Sequence, residues 1–513
     1  MTPKKILLFF LLVGAILLPA ILFLPAKGVE IGPFKIKMIS IDKMLGHDTV
    51  HYADISKVVN SSTNIDSLPD ILAAVEVDSS ASQKIILDTS KASADDLAKS
   101  VYRLKHNAAG KANLQRFFNL LRNGTTKKQQ IRILHYGDSQ LEGDRMTSYI
   151  RNKLQKRFGG FGPGLLPALQ PYDSYFSVIQ TNTGNWERHT TFGKKDPLVE
   201  HNRYGVLAAF SRFAPLASDS IPFHDSLLYH ASVEFTESKV AYSAVRKFRV
   251  ASILYGHSKR KVEVVFYVDG KEVLRDSLLA DVDYHKLTYT SPIYINNLKI
   301  EFSGYDSPDI YAIDLSDVSG VETDNIGMRG SSGTFFTRMD YAHLSKMYNQ
   351  LNVRMFIMQF GGNVMPYIKD TAAVESYGRW FYAQLARLKK MMPEAAIVVI
   401  GPSDMSHKEG ENYVTYDYLP LVRDALKEAT LKAGFSFWDM YSAMGGYNSM
   451  PSWVRAEPPL AGADYTHFTP RGAKLVANMF YNSLMIEYAE RNAASRHSSK
   501  AVTKKQTKEG TVE

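Results

Sequence analysis

Five short apolar runs constrain the fold of this chain more than any other feature of its sequence, and they lie near residues 131, 321, 355, 397 and 435. Helical patterns separate several of these runs, around Tyr377 to Met391 and around Leu419 to Ala433. Short apolar strands that alternate with amphipathic helices are typical of a parallel sheet covered by helices on both faces. The pattern therefore predicts a three-layer α/β/α sandwich.

The composition excludes several other classes of protein. Hydrophobic residues make up 45% of the 513 residues and charged residues 22%, as in an ordinary globular protein. The chain has no cysteine, which excludes thiol catalysis, Cys-ligated zinc, iron–sulfur clusters and disulfides. The net charge of +9 is too weak a signal to predict a nucleic-acid partner.

An uninterrupted apolar run from Ile6 to Ala26 follows Lys4 and Lys5. At about 1.5 Å per residue, such a helix is long enough to cross a hydrocarbon core of about 30 Å. The lysines should stay in the cytoplasm, so the run predicts a single-pass anchor in the inner (cytoplasmic) membrane, with the rest of the chain in the periplasm or another extracytoplasmic space. Because the run contains Pro19 and Pro25, a long cleaved signal sequence is the alternative.

Between the first core helix and the run near residue 321, the sequence changes to closely spaced strand-like segments. They are Tyr229 to Phe235, Lys247 to Ile253, Val262 to Val268, Lys271 to Leu274 and Ile293 to Phe302. Asp269-Gly270 between two of them is a strong hairpin signal. These segments predict an inserted β-sandwich. Trp186 lies in a loop of this region, where it could stack on a sugar ring or belong to the core.

Two motifs carry groups suited to nucleophilic catalysis. Ser139, within Tyr136-Gly137-Asp138-Ser139-Gln140, follows an apolar run and precedes a helical segment, so it should stand at the carboxyl end of a parallel strand. Asp464 and His467 lie in one turn before another helical segment, where the carboxylate could orient the imidazole. Taken alone, the first motif is typical of a turn and the second of a surface pair or helix cap.

Two further strand ends carry neutral N–H donors, which are the groups that an oxyanion hole needs. Asn363 follows the run near residue 355, and Gly327 and Gly330 follow the run near residue 321. Each could also be an ordinary turn residue.

The four pieces occur in the order Ser, Gly, Asn, Asp-x-x-His, and in this they resemble the SGNH, or GDSL-type, hydrolase superfamily. The resemblance implies that Ser139 is the nucleophile, that His467 is the base and that Asp464 orients it. It also implies an oxyanion hole formed by the N–H of Ser139, by Gly330 and by Asn363, although Gly327 could replace Gly330.

The sequence departs from the superfamily pattern at two positions. Gln140 stands where the name-giving motif has leucine, and Val364 follows Asn363 where many members have aspartate.

The architecture is most similar to periplasmic peptidoglycan O-acetylesterases, which carry a carbohydrate-binding-like β insertion. This likeness implies a serine esterase that removes O-acetyl groups from an envelope polysaccharide, with peptidoglycan as first candidate and no metal or organic cofactor. An O-acetyltransferase with the same triad and an inactive glycan-binding protein are the alternatives.

The sequence thus predicts five parts. They are a membrane anchor or signal (1–27), a spacer (28–106), an SGNH hydrolase domain (107–167 and 318–491), an inserted β-sandwich (168–317) and a disordered basic tail (492–513). The sequence does not indicate an oligomeric state.

Overall fold

The computed structural model describes residues 3–23, 29–31, 34–36, 50–62, 102–123, 125–172, 175–216 and 226–509. The helices are α1 (Pro3–Phe23), α2 (Ser56–Ser62), α3 (Ala108–Arg122), α4 (Thr147–Phe158), α5 (Tyr341–Gln350), α6 (Thr371–Met391), α7 (Leu419–Ala433), α8 (Met440–Met444), α9 (Ser449–Arg455) and α10 (Pro470–Glu509). The strands up to the middle of the chain are β1 (Val29–Ile31), β2 (Phe34–Ile36), β3 (Gln130–Gly137), β4 (Gly164–Leu166), β5 (Val178–Asn182), β6 (Glu187–Thr190), β7 (Ala209–Arg212), β8 (Tyr229–Glu237), β9 (Val250–Gly256) and β10 (Val262–Val268). The remaining strands are β11 (Lys271–Leu278), β12 (Tyr284–Thr290), β13 (Asn297–Gly304), β14 (Asp309–Ser316), β15 (Gly320–Gly327), β16 (Val353–Gln359), β17 (Ala396–Ile400), β18 (Ser406–Glu409), β19 (Asn412–Thr415) and β20 (Ser436–Trp438).

A parallel sheet forms the centre of the predicted hydrolase domain. Its strands are those predicted near residues 131, 321, 355, 397 and 435, and they lie in the order β15-β3-β16-β17-β20. Every neighbouring pair is parallel, so all carboxyl ends lie at the same edge. This edge is where open α/β sheets bind ligands.

Helices cover both faces of this sheet, which confirms the predicted three-layer architecture. Alternate residues of β3 point to opposite faces: Ile133 packs with α3, α4 and α10, whereas Leu134 packs with α5, α6 and α7. An apolar stripe on α3 is buried against the sheet, and its members are Leu114, Phe117, Phe118 and Leu121.

The predicted insertion forms two antiparallel sheets that enclose an apolar core of their own. One sheet has the order β11-β10-β13-β8-β5 and the other β12-β9-β14-β7-β6, with β4 added beside β14. Asp269-Gly270 makes the predicted hairpin, with φ angles of 49° and 79°. Because β4 precedes residue 168, the sandwich begins slightly earlier than the sequence predicts.

Trp186 belongs to the core of this sandwich, so the interpretation that it stacks on sugar rings is wrong. The side chain is buried and packs edge-on against Phe213 and Phe302. Its indole N–H donates to the carbonyl oxygen of Ser232. These contacts occupy both the ring and its polar group.

A buried charge cluster joins the sandwich to the central sheet. Arg132 on β3 contacts Asp324 on β15 at 2.7 Å and Asp314 on the sandwich strand β14 at 2.8 Å. Arg151 on α4 lies 3.4 Å from Glu322 on β15, and burial raises the pKa of Glu322 well above its ordinary value. A protonated Glu322 reduces the excess of negative charge that Arg132 and Arg151 must balance.

The apolar run that predicts a membrane anchor coincides with α1 as far as Phe23, and the side chains from Ile6 to Leu12 are exposed. Among the residues that the structure describes, no helix combines the length and hydropathy that a membrane span requires. The structure therefore does not show the predicted anchor, and residues 24–26 lie outside the described residues.

The two other flanking regions differ in part from the predictions. The end of the predicted spacer contacts the sheet, since Lys105 exchanges two backbone hydrogen bonds with Phe437 on β20.

The sequence predicts a disordered tail over 492–513, whereas α10 continues to Glu509. The alanine, lysine and glutamine residues of this segment favour a helix. The sequence pattern of Lys84 to Leu87 predicts a short strand within the spacer, but this segment and residues 510–513 lie outside the described residues.

Candidate active site

The nucleophile loop begins where β3 ends at Gly137. A Cβ atom at Gly137 would lie 2.6 Å from the Leu141 side chain and 3.0 Å from the Gln359 carbonyl oxygen, so only glycine fits there. Asp138 caps the 3₁₀ turn Ser139–Asp144 by accepting a hydrogen bond from the Gln140 N–H at 3.0 Å. The strand end and this cap together fix Ser139 at the carboxyl edge of the sheet.

The structure brings Ser139, His467 and Asp464 together in one hydrogen-bonded chain. Ser139 Oγ lies 2.7 Å from His467 Nε2, although 328 positions separate the two residues. His467 Nδ1 lies 2.7 Å from Asp464 Oδ2. This is the arrangement in which an imidazole removes the proton of a serine hydroxyl while a carboxylate holds the opposite ring nitrogen.

Asp464 is held ionised by the turn that contains it. Burial alone would raise the pKa of Asp464, but hydrogen bonds from the His467 side chain, the His467 N–H and the Thr466 N–H outweigh it and lower the pKa. The carboxylate therefore keeps the proton of His467 on Nδ1, which leaves Nε2 able to accept the proton of Ser139.

A second carboxyl group lies beside the same chain of atoms. Asp138 is buried, and this burial raises its pKa to about 6, although the Gln140 N–H and the positive charge of His467 oppose the rise. Above that pH Asp138 carries a negative charge close to the catalytic chain of atoms.

Gln140 contributes to this site in a way that the sequence did not reveal. Its side-chain N–H donates to the Thr466 carbonyl oxygen at 2.7 Å, and its side-chain oxygen accepts from the Phe468 N–H at 3.3 Å. Thr466 and Phe468 are the two neighbours of His467. Gln140 therefore fixes the histidine loop to the nucleophile loop, which a leucine at this position could not do by hydrogen bonding. In the sequence, the only sign of this role was that Gln140 stands where the GDSL motif has leucine.

A small cavity of about 80 Å³ opens beside Ser139 and His467. Asn363 and Gly362, which follow the central strand β16, line it together with Phe360. The side-chain nitrogen of Asn363 donates one hydrogen to the carbonyl oxygen of Ser331 at 3.1 Å, which fixes the amide and leaves its second hydrogen for a ligand. The predicted position of Asn363 beside the nucleophile is thus observed.

Gly330 is not among the residues that line this cavity. It is exposed and has a φ of 79°, and a Cβ atom at this position would meet no other atom within 4 Å. Gly327 lies closer to the nucleophile turn, since a Cβ there would be 3.5 Å from the Glu142 nitrogen. The oxyanion role of Gly330 stays a prediction.

We expect Asn363→Ala to lower kcat for ester hydrolysis by about 10²- to 10³-fold, because the variant lacks a donor to the tetrahedral oxyanion. Steady-state kinetics on a small acetyl ester measures this loss. Asn349→Ala is the matched control, since the Asn349 side chain bonds only to its own helix at Ser345 and should leave kcat unchanged. Equal kcat values in the two variants would remove Asn363 from the oxyanion hole.

No family model and no curated protein matches this chain. A solved peptidoglycan O-acetylesterase is similar in structure, with 20% sequence identity, a TM-score of 0.56, and coverage of 75% of this chain and 99% of that chain. A GDSL-like lipase from Parabacteroides merdae has 18% identity and a TM-score of 0.26, covering 32% of this chain and 74% of that chain. A family two carbohydrate esterase from Clostridium thermocellum has 10% identity and a TM-score of 0.22, covering 58% and 96%.

Only the first of these structures is similar enough to support a statement about fold. Its match extends over almost its whole length, and its identity with this chain is low enough that the likeness concerns architecture alone. The chain therefore shares the fold of this solved peptidoglycan O-acetylesterase.

Proposed function

We propose that this protein is a serine esterase that removes O-acetyl groups from an envelope polysaccharide, with peptidoglycan as the leading substrate. The observation that carries the proposal is the hydrogen-bonded chain from Ser139 through His467 to Asp464 beside a cavity. A serine with a base in reach and an oriented carboxylate behind it is suited to acyl transfer.

The geometry supports a two-step reaction. His467 Nε2 takes the Ser139 proton as Oγ attacks the acetyl carbonyl carbon, and the oxyanion accepts hydrogen bonds from the Ser139 N–H and Asn363. Collapse of this intermediate breaks the ester bond, and His467 returns the proton to the departing sugar oxygen. Water, deprotonated by His467, then attacks the acetyl-enzyme and releases acetate and free Ser139.

A large cleft next to the catalytic turn supports a polymeric, anionic substrate. Its volume is about 1030 Å³, and it includes Glu142 and Gly143 of the nucleophile turn. Its basic and aromatic lining residues are Arg145, Arg329, Arg471, Lys474, Tyr172, Tyr175, Phe176 and Tyr242. Aromatic rings suit the apolar faces of sugars, and the basic groups suit the carboxylates that peptidoglycan carries. The fold shared with a peptidoglycan O-acetylesterase agrees with this choice.

The apolar run after Lys4 and Lys5 bears on where in the cell this activity takes place. We propose that it anchors the chain in the inner membrane and holds the esterase on the periplasmic or extracytoplasmic side, where peptidoglycan lies. Fractionation of cells that express the full chain tests this, since recovery in the soluble cytoplasmic fraction would contradict it.

We expect acetate release from O-acetylated peptidoglycan to exceed release from neutral acetylated xylan and from long-chain esters. Exchange of Lys474 for glutamine should raise KM for peptidoglycan about three- to tenfold and leave KM for a small acetyl ester unchanged, because only the polymer reaches the cleft. Lys432→Gln, on α7 outside the cleft, is the control.

Two results would contradict this proposal. Transfer of acetyl groups to an acceptor glycan without release of acetate would make the protein an O-acetyltransferase. Equal activity on xylan and peptidoglycan, with Lys474→Gln unchanged, would remove the preference for an anionic polymer.

A further inference from the structure

Three ligand atoms converge within the inserted sandwich, outside the catalytic cavity. His201 lies in the loop between β6 and β7, His257 follows β9, and Asp309 begins β14. Asp309 Oδ2 is 3.1 Å from His201 Nε2 and 3.7 Å from His257 Nδ1. The three atoms all lie within 4.8 Å of one another. Ligands of one metal ion have separations of this kind.

Within the part of the chain that the structure describes, none of these atoms has a hydrogen-bond partner. Asp309 Oδ2, His201 Nε2 and His257 Nδ1 are buried, and the approach of His201 Nε2 to Asp309 Oδ2 at 3.1 Å lacks the geometry of a hydrogen bond. The Asp309 side chain is 0% exposed. Leaving a buried carboxylate oxygen and two ring nitrogens without hydrogen bonds is costly, and a single cation would satisfy all three.

One oxygen of Asp309 already has a partner. Arg212 donates to Asp309 Oδ1 at 2.9 Å and to Asp306 Oδ1 at 2.6 Å. This arrangement occupies Oδ1 of Asp309 and leaves Oδ2 for a ligand.

The backbone at His257 helps to bring the two imidazole rings together. Its φ is 51°, in the left-handed region where histidine, like asparagine and aspartate, is enriched among the residues other than glycine. This conformation places the ring against His201, with centroids 4.2 Å apart.

We propose that His201, His257 and Asp309 bind a divalent transition-metal ion, with zinc as the leading candidate. Two imidazole nitrogens and one carboxylate oxygen form a ligand set that zinc accepts, and water completes the coordination. The His257 and His201 side chains are 32% and 16% exposed, which gives the ion a route from solvent. The ion would join the loop before β7 to β9 and β14 and so stabilise the sandwich. This site is separate from the serine chemistry and does not depend on the proposed function.

Binding requires one local rearrangement. The Arg203 N–H donates to His201 Nδ1 at 3.2 Å, so a neutral ring carries its proton on Nε2. A metal bound at Nε2 moves that proton to Nδ1, and the long hydrogen bond from Arg203 opens.

The test uses the full chain without an affinity tag, freed of metal with a chelator. Titration with Zn²⁺ should show one equivalent bound per chain, and saturating Zn²⁺ should raise the Tm by roughly 2–5 °C. We expect His257→Asn to weaken zinc binding by at least about tenfold and to abolish the rise in Tm. Asparagine tolerates the left-handed backbone of position 257, so the metal-free variant should melt close to the wild-type protein.

His285→Asn is the matched control, because His285 also contacts an aspartate on the sandwich, Asp281 at 2.7 Å, but lies outside the cluster. It should bind zinc as the wild type does. If metal-free His257→Asn is unfolded, His201→Gln provides the same test. Absence of a bound equivalent in the wild type, or equal affinity in the cluster variant and the control, would overturn the proposal.

Discussion

Ser139→Ala should lower kcat for acetate release by about 10⁴- to 10⁶-fold while the protein stays folded. The variant keeps His467 and the oxyanion donors but has no oxygen to form the acetyl-enzyme, so only the effects of binding and the oxyanion hole persist. Steady-state kinetics gives the loss. A fluorophosphonate probe should label the wild type at Ser139 and fail to label the variant.

Ser403→Ala is the matched control for this prediction. Ser403 lines the same cavity, and its hydroxyl accepts a 3.5 Å contact from Gln140. The Ser403→Ala variant should keep kcat within a few fold of the wild-type value, and the probe should still label it at Ser139. Turnover that survives in Ser139→Ala would assign the nucleophile to another residue. A folded wild type that neither reacts with the probe nor releases acetate would favour a glycan-binding protein without catalysis.

Arg132→Met should lower the free energy of unfolding by about 3–5 kcal/mol, the largest stability effect that we expect from a single substitution. The methionine fills part of the space, but Asp314 and Asp324 then stay buried without the guanidinium that neutralises them. Burial already acts to raise the pKa of Asp314, and Arg132 reverses this and lowers the pKa. Chemical denaturation measures the loss.

The pH dependence separates a charge effect from a packing effect. Without Arg132, the folded-state pKa of Asp314 rises above its unfolded value, and the pKa of Asp324, which burial already raises, rises further, so these groups destabilise the fold as pH rises. The deficit of Arg132→Met should therefore shrink as the pH is lowered and the carboxylates take up protons. Arg275→Met is the control, because Arg275 makes exposed ion pairs with Glu272 and Glu263, and its replacement should change the free energy of unfolding far less than Arg132→Met does. Equal losses in the two variants, or a deficit independent of pH, would contradict this account.

The central sheet and the catalytic chain could be predicted because their signals are local. Ser139 directly follows an apolar strand, and Asp464 and His467 lie within one turn, so each motif is complete in a few residues. The parallel topology then brings the strand ends to one edge. The same reasoning could not choose between Gly327 and Gly330, because both are exit-loop glycines and only the course of the loop distinguishes them.

The charge cluster was not predictable in this way. Arg132 lies inside an apolar run that predicts a buried strand, and nothing near it in sequence is its partner. Asp314 and Asp324 are 182 and 192 positions away, on strands that meet β3 only in the folded chain. Trp186 was ambiguous for a related reason, since an aromatic residue beside a turn is compatible with both a core and a surface role.

The two hydrogen bonds of the Gln140 side chain limit how the catalytic segments can be exchanged between proteins. A chimera that combined this histidine segment with a serine loop carrying leucine after the serine would contain every reacting group. It would lack the hydrogen bonds that set the position of the histidine relative to the serine. We infer that residue 140 and the backbone on either side of His467 have to be exchanged as a unit, and that a graft of the histidine segment alone would yield a folded but poorly aligned enzyme.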